Sequence, residues 1–283
     1  MATRVRRFGV GGLELAVIDE GTSRYPVADW PGVTPAEMAP FDVVAPDGTV
    51  LLGMNLALVR SPAGPLLLDA GFGEDSEWLR AFSARFNIVR KGDAVAALAE
   101  LDLAPADICH VVISHAHGDH FFGATLVREG RHVPACPNAR YWLGAADWTR
   151  FSQIQPAGSP FQQIVGALHR LGRLTLVDAE TEVVPGVSLL PTPGESPGHL
   201  AIRLESNGQI AYYIGDLIHH IAEVYHPEWI PNNRDAASLT ASRRAFYARA
   251  AAENALVVAS HVPFPGAGRI VASGTGWAWE PVA

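Results

Sequence analysis

Four potential metal ligands fall within the six residues His115-Ala116-His117-Gly118-Asp119-His120, one residue after the apolar run Ile108-Cys109-His110-Val111-Val112-Ile113. A short run rich in Val and Ile reads as a buried strand, so the polar cluster sits on the turn where that strand ends. Imidazole and carboxylate together suit zinc and similar borderline metals. His115 and His117, two positions apart, can converge on one ion. Asp119 and His120 begin the next turn and point elsewhere, which favours two ions over one. A His-rich surface loop is the competing explanation, but three later segments agree with a metal. Pro193-Gly194-Glu195-Ser196-Pro197-Gly198-His199 is a Gly/Pro loop that delivers a His between two apolar runs. Ile214-Gly215-Asp216 ends one run with an Asp, and Val257-Val258-Ala259-Ser260-His261 ends another with a His.

The apolar, β-rich runs are residues 50–60, 65–69, 108–114, 174–177, 200–205, 210–214 and 255–260. Three helical patterns lie between them. In 76–86, Leu79, Phe82 and Phe86 share a face. In 160–171, Phe161, Ile164, Val165, Leu168 and Leu171 form a stripe, with Ser159 as cap, Pro160 in first place and Gln162 in third. Residues 236–254 form an Ala/Arg-rich helix expected to be half exposed. The C-terminal residues 274–280 read as a strand. Residues 22–48 are rich in Pro, Asp and Gly and read as an irregular surface segment. Its Tyr25, Trp30, Met38 and Phe41 suggest a cover over a pocket or a contact with a second subunit. Strands and helices mix without a linker-like break, so one α/β domain over residues 1–283 is expected, with sheets inside and helices outside.

Composition excludes more than it assigns. The formal net charge of −8 gives no electrostatic reason for a nucleic-acid or anionic-membrane partner. A hydrophobic fraction of 48% over 283 residues permits a sizeable core without staples. Cys109 and Cys136 make no disulfide framework, and Cys109 reads as a buried free thiol. The basic segment 1–10 has no apolar stretch behind it, and no run reaches the length of a membrane span. A cytoplasmic chain is the resulting expectation.

The order of these motifs, from Leu66-Leu67-Leu68-Asp69-Ala70-Gly71 through the H-x-H-x-D-H segment to His261, resembles the metallo-β-lactamase fold superfamily. The resemblance implies an αββα sandwich, two mixed β-sheets flanked by helices, with the site at one edge between the sheets. It implies that His115, His117 and His199 hold a first metal, that Asp119, His120 and His261 hold a second, and that Asp216 bridges them. Asp69 would lie behind the ligands and orient a His. His219, three residues after Asp216, stands where acyl-homoserine lactonases of this fold often carry a Tyr that bonds the substrate carbonyl. The methyl parathion hydrolase-like branch carries a His there, and Ser260-His261-Val262-Pro263-Phe264-Pro265-Gly266 is similar to that branch too. His219 is therefore expected in the pocket, with His220 on the opposite face of the chain. His110, His132, His169 and His226 read as packing or surface residues.

The implied chemistry is hydrolysis by a hydroxide shared between two divalent ions, zinc first, with cobalt, manganese or iron as alternatives. Asp119 would hold its proton, and His219 would assist at the substrate oxygen. No convincing Ser-His-Asp motif offers a serine route. Aromatic residues expected to wall the pocket are Phe121, Phe122, Trp148 and Phe151, with Trp142 and Phe161 nearby. Two or more of them facing the pocket would favour a neutral, partly apolar small molecule. A lactone or aryl ester fits, and a phosphotriester fits as a side activity. A glyoxalase II-like thioesterase and a β-lactamase are the rival hydrolases, and a mononuclear iron dioxygenase is the rival of another class. A homodimer is compatible with the sequence.

Overall fold

The computed structural model describes residues 4–90 and 92–282. The first sheet has eight strands, with Arg4–Val10, Leu13–Pro26, Thr49–Ser61, Gly64–Leu68, His110–Val112, Arg140–Gly144 and Leu174–Val177 in spatial order. Ile88–Arg90 pairs beside Leu13–Pro26. The hairpin half is antiparallel, while the last four strands in that order run parallel. The second sheet has seven strands: Thr181–Val184, Val187–Pro191, Leu200–Ser206, Gln209–Tyr213, Leu256–Val258, Ala267–Ser273 and Gly276–Pro281. Only Gln209–Tyr213 and Leu256–Val258 are parallel neighbours there, and the helix Ala236–Ala252 makes their crossover.

Side-chain alternation explains the layers. In Leu13–Pro26, Leu15 and Val17 face the second sheet while Ala16 and Ile18 face helices. In Thr49–Ser61, Ala57 and Val59 face inward while Leu56 and Leu58 face outward. Both faces of the strands are covered, which is why the sequence shows continuous apolar runs rather than clean alternation. The outer face of the first sheet is closed by Ala97 and Leu98 of Ala94–Glu100 and by Phe161, Ile164, Val165 and Leu168 of Pro160–Arg170. Leu239, Phe246, Tyr247 and Ala250 of Ala236–Ala252 close the second sheet. The architecture is the αββα sandwich.

The helix starts are those the sequence marks. Ser159 Oγ accepts from Gln162 N with Pro160 in the first turn, and Ser76 Oγ accepts from Leu79 N ahead of Glu77–Arg85. Residues 22–48 depart from the irregular surface loop expected. The strand Leu13–Pro26 runs into them, a 3-10 turn follows at Val27–Asp29, and a short capped helix spans Pro35–Met38. Val27, Trp30 and Met38 are buried with Val50, Leu52 and Ala222. The four aromatic and sulfur side chains of this stretch therefore anchor it to the body of the protein. Cys109 is only half-buried, against the expectation of burial, whereas Cys136 is buried; both are free thiols. Among the described residues, no helix is long and apolar enough to cross a membrane.

Candidate metal centre and substrate cavity

Chain direction gathers the polar residues at one edge. Gly64–Leu68 and His110–Val112 are parallel and end together, which puts Asp69 beside Ser114 and His115. Gln209–Tyr213 and Leu256–Val258 are also parallel, and the chain beyond them carries Asp216 and His261. His199 stands on the Gly/Pro loop between Val187–Pro191 and Leu200–Ser206. It precedes Leu200–Ser206, whose antiparallel register against Gln209–Tyr213 brings its start to the same edge. Backbone bonds stitch the two sheets there: Gly53 N donates to His261 O at 2.7 Å, Asn55 N to Ser260 O at 2.9 Å, and Leu200 N to Ser114 O at 2.8 Å.

Asp147 ties the two ligand loops together. Its buried carboxylate accepts from Ala116 N at 2.8 Å, Ser196 Oγ at 2.8 Å and Gly198 N at 2.7 Å. Any Cβ at Gly198 would come within 2.5 Å of Asp147 N, so only glycine permits this approach.

Two separate groups of donor atoms converge, each within 4.8 Å: His115, His117, Glu195 and Asp216 in one, and Asp119, His120 and His261 in the other; a third group, Asp216, His219 and His261, overlaps both. His115 Nε2 faces His117 Nδ1 at 2.8 Å and lies 3.5 Å from Asp216 Oδ2. His120 Nε2 lies 3.2 Å from Asp216 Oδ1 and 3.5 Å from Asp119 Oδ2. His261 Nε2 lies 3.0 Å from Asp216 Oδ2 and 3.4 Å from Asp119 Oδ2. Asp216 thus touches both groups. His199 is set beside the first group, its ring 5.2 Å from that of His115, with Nε2 accepting the Asp216 N–H at 3.2 Å.

Hydrogen bonding fixes the ring tautomers. The carbonyl of Gly53 can only accept, so His261 donates from Nδ1 at 3.0 Å and turns Nε2 toward the carboxylates. His120 donates from Nδ1 to Asp69 Oδ2 at 2.7 Å. His199, which accepts at Nε2, donates from Nδ1 to Thr192 Oγ1 at 2.8 Å. Asp69 also accepts from Ser114 N and Tyr213 OH, each at 2.7 Å, and holds a positive φ of 63°. In His120 and His261 the nitrogen facing the cluster is the one available to a cation. The buried atoms without hydrogen-bond partners include His120 Nε2, Asp216 Oδ1, Glu195 Oε2 and His219 Nδ1. Buried polar atoms are rarely left so, and this concentration of imidazole and carboxylate donors fits a pair of divalent cations.

Electrostatics point the same way. Burial holds His115 well below the ordinary imidazole range and His199 down to about 4. Burial alone would lower His120 and His261 too, but Asp216 and Asp119 outweigh it. His120 is driven well above its ordinary value and His261 up to about 9. Burial would raise Asp216, yet His120, His261 and His115 hold it well below the carboxylate range. Without metal, protons occupy the ring positions of His120 and His261 that metal would take.

The centre opens into a cavity of about 1080 Å³. Phe121, Phe122, Phe151 and Phe161 line it, as do Tyr25 and Met54. Trp148, expected in this wall, stacks instead on His169 at 4.2 Å and packs against the helical layer. Trp142 binds His110 Nδ1, and His132 and His226 are engaged with Thr125 and Trp229, so these histidines pack as read. His219 lines the cavity between Tyr25 and His261, with ring centroids at 6.5 and 5.3 Å. Burial keeps its pKa low despite Glu195 and Asp216. His220 turns away, to Asp42 at 3.3 Å and to Ala222 N.

Sequence reasoning did not single out Glu195, Arg234 or Asp147. Glu195 lay in a segment read only for His199. An acidic residue within a Gly/Pro loop that already carries a ligand was the available signal.

A family profile described as the metallo-beta-lactamase superfamily matches residues 51–261. An N-acyl homoserine lactonase of Bacillus thuringiensis is 29% identical over 165 residues, covering 54% of this chain and 59% of that relative's length. The structure of AidC, a dizinc quorum-quenching lactonase in complex with a product, superposes with a TM-score of 0.80 at 23% identity, covering 100% of this chain and 98% of that one. The hydrolase AbOPH of the beta lactamase superfamily superposes at 0.80 with 19% identity, covering 99% and 97%. With the profile spanning most of its length, this chain belongs to the metallo-beta-lactamase superfamily.

Proposed function

We propose that the chain is a binuclear metal-dependent hydrolase acting on lactones or related esters. The observation that carries this reading is Asp216, which faces two convergent donor groups on the floor of an aromatic-lined cavity. Divalent ions held by those groups would supply hydroxide near neutral pH and polarise the bond under attack. A single facial His/His/Asp iron site would leave the second group without a purpose. The lactonase names among the relatives support a lactone as the first substrate to try.

The chain's own residues define the rest. The Phe121, Phe122 and Phe151 walls favour a neutral, partly apolar substrate. His219, held neutral by burial, presents Nε2 on the side of Asp216, 3.5 Å from Oδ2, and would donate to the substrate oxygen as negative charge grows. Asp119, beside both His120 and His261, is placed to receive a proton. Aryl esters and a phosphotriester present a similar neutral centre and are the expected secondary substrates.

The test is a hydrolysis screen of metal-loaded protein with acyl-homoserine lactones, simple lactones, aryl esters, thioesters, a phosphotriester and a β-lactam. Lactones should show the highest kcat/KM. Activity should vanish on strong chelation and return with zinc, cobalt or manganese. Turnover confined to thioesters or β-lactams would overturn the substrate assignment, and full activity after demetallation would overturn the mechanism.

A further inference from the structure

We propose that Arg234 and Tyr25 form a polar subsite beside the metal centre, which selects substrates carrying a neutral hydrogen-bond acceptor on the carbon next to the carbonyl under attack. Both side chains line the cavity. The proposal deepens the hydrolase reading above and rests on it: the phenylalanine walls take the apolar part of the substrate, and these two donors read its polar arm.

The backbone fixes both donors in place. Asn232 N donates to Asp29 O at 2.8 Å and Asp235 N to Gly194 O at 3.1 Å, on either side of Arg234. Gly194, at a φ of 133°, is pressed against the start of Ala236–Ala252 so closely that a Cβ would lie 2.2 Å from Leu239 N. Tyr25, near the end of Leu13–Pro26, packs edge-on against the buried Trp30 at 5.3 Å and stacks over His219 at 6.5 Å. Glu195 joins the subsite to the centre. Its Oε1 accepts from Arg234 Nε at 2.6 Å and lies 3.2 Å from His117 Nδ1 and 3.7 Å from His219 Nε2. A single carboxylate oxygen thus separates the guanidinium from the cluster, within reach of a substituent beside the attacked carbonyl.

A guanidinium whose sole task was to neutralise Glu195 would grip both oxygens in a two-pronged fork. Arg234 meets the carboxylate through Nε alone, and its Nη1 donates to Asn232 O at 3.0 Å. Nη2 has no hydrogen-bond partner among the described residues, yet it is not one of the sealed orphan atoms, so it is accessible where Arg234 lines the cavity. The Tyr25 hydroxyl likewise makes no hydrogen bond among the described residues. Burial pushes its pKa up against the opposing pull of Arg234, so it stays a donor at neutral pH, and the two groups lie within electrostatic reach of one another. The fully buried Glu195 already offsets the guanidinium charge, which leaves donors without a net charge and suits an amide or ketone oxygen better than an anion. A substrate that fills the cavity without such an oxygen strips water from both donors and leaves them unpaired, so it is penalised.

The test uses the metal-loaded full chain and matched substrate pairs: an α-acylamino-γ-butyrolactone against its α-alkyl counterpart of equal chain length, and the same pair as aryl esters. The readout is the ratio of kcat/KM within a pair, from which any general change in the metal centre cancels, with bound metal checked by elemental analysis. Wild type should favour the acylamino member about tenfold or more. Tyr25→Phe keeps the ring but removes the hydroxyl and should lower the ratio about 3- to 10-fold. Arg234→Lys keeps a positive charge beside Glu195 but withdraws Nη2 and should lower it about tenfold. Tyr25→Phe decides the matter if Arg234→Lys loses metal or does not fold. A wild type indifferent to the acylamino group would overturn the subsite, and an unchanged ratio in either metal-loaded variant would overturn that residue's part in it. A wild-type preference for an α-carboxylate lactone over the acylamino lactone would overturn the choice of a neutral acceptor. Failure of wild type to turn over any of these substrates would instead overturn the hydrolase reading, and the subsite with it.

Discussion

The indole N–H of Trp30 donates to the Glu223 carboxylate at 2.5 Å, across 193 positions of sequence. The same carboxylate accepts from Arg243 Nη2 at 2.5 Å and from His219 N at 2.8 Å. Trp30, Glu223 and Arg243 are all fully buried. One carboxylate therefore joins the N-terminal segment, the long helix of the second sheet and the wall of the cavity.

Removing one partner of a buried ion pair strands the other charge. Glu223→Ala is expected to cost about 3–5 kcal/mol in urea unfolding. Trp30→Phe loses one hydrogen bond to a charged acceptor, about 1.5–3 kcal/mol. A Trp30→Phe midpoint equal to wild type would mean that residues 22–48 are not anchored through this contact.

Asp69 offers a cleaner separation of fold from metal binding. It fixes the His120 ring while its own backbone sits in the left-handed region, where Asn is tolerated better than most residues. Asp69→Asn is expected to keep the fold and to weaken metal binding about 10- to 100-fold, the usual cost of losing a residue that orients a ligand His. Chelator competition measures it, and an affinity within twofold of wild type would count against the orienting role.

How much of this was legible beforehand follows from locality. His115, His117, Asp119, His120, Asp216 and His261 sit in short segments whose strand-then-turn pattern is visible in the sequence itself. Asp69 was visible for the same reason. Glu195 and Arg234 are 39 positions apart, and nothing periodic links them; only the packing of Gly194 on Leu239 brings them together. Trp30 looked like a loop aromatic because its partners, Ala222 and Glu223, come from the far end of the chain. Trp148 was assigned to the cavity from its nearness to the motif, whereas its helix, Ala145–Ile154, directs it onto His169. The N-terminal strands Arg4–Val10 and Leu13–Pro26 went unread although Gly11-Gly12 between them marks a hairpin turn.

Glu20 predicts a pH dependence of stability. Burial lifts its pKa to about 8, against the opposing Arg90 and the hydrogen bonds from Phe72 N and Ala94 N. The unfolded chain releases that proton near the ordinary value of about 4.3. Between the two values the folded state holds a proton that the unfolded state has lost, so this stability contribution is full below about 4.3 and falls as pH rises toward 8. Thermal melts of wild type against Glu20→Gln should show a decline in Tm from pH 5 to 8 that is flatter in the variant. Parallel curves would assign the decline to other groups.

His219 and His220 are adjacent yet serve different surroundings, which makes them a matched pair. His219 faces the cavity, 3.5 Å from Asp216 and stacked on His261. His220 is buried against Asp42 and edge-on to Trp30 at 6.3 Å. A donor at the substrate oxygen acts more in the transition state than in the ground state, so its loss should fall on kcat rather than KM. Loss of one such donor costs about 10²–10³-fold in well-studied hydrolases. A smaller loss, about 10- to 100-fold, is expected for His219→Ala, because bound metals would carry part of the same charge. His219→Ala should retain both ions; loss of one would make His219 a ligand instead of a donor. His220→Ala should behave in the opposite way, losing about 1–3 kcal/mol of stability from its stranded partners with kcat little changed. Equal and small effects of the two substitutions on kcat would mean that His219 plays no part in the reaction.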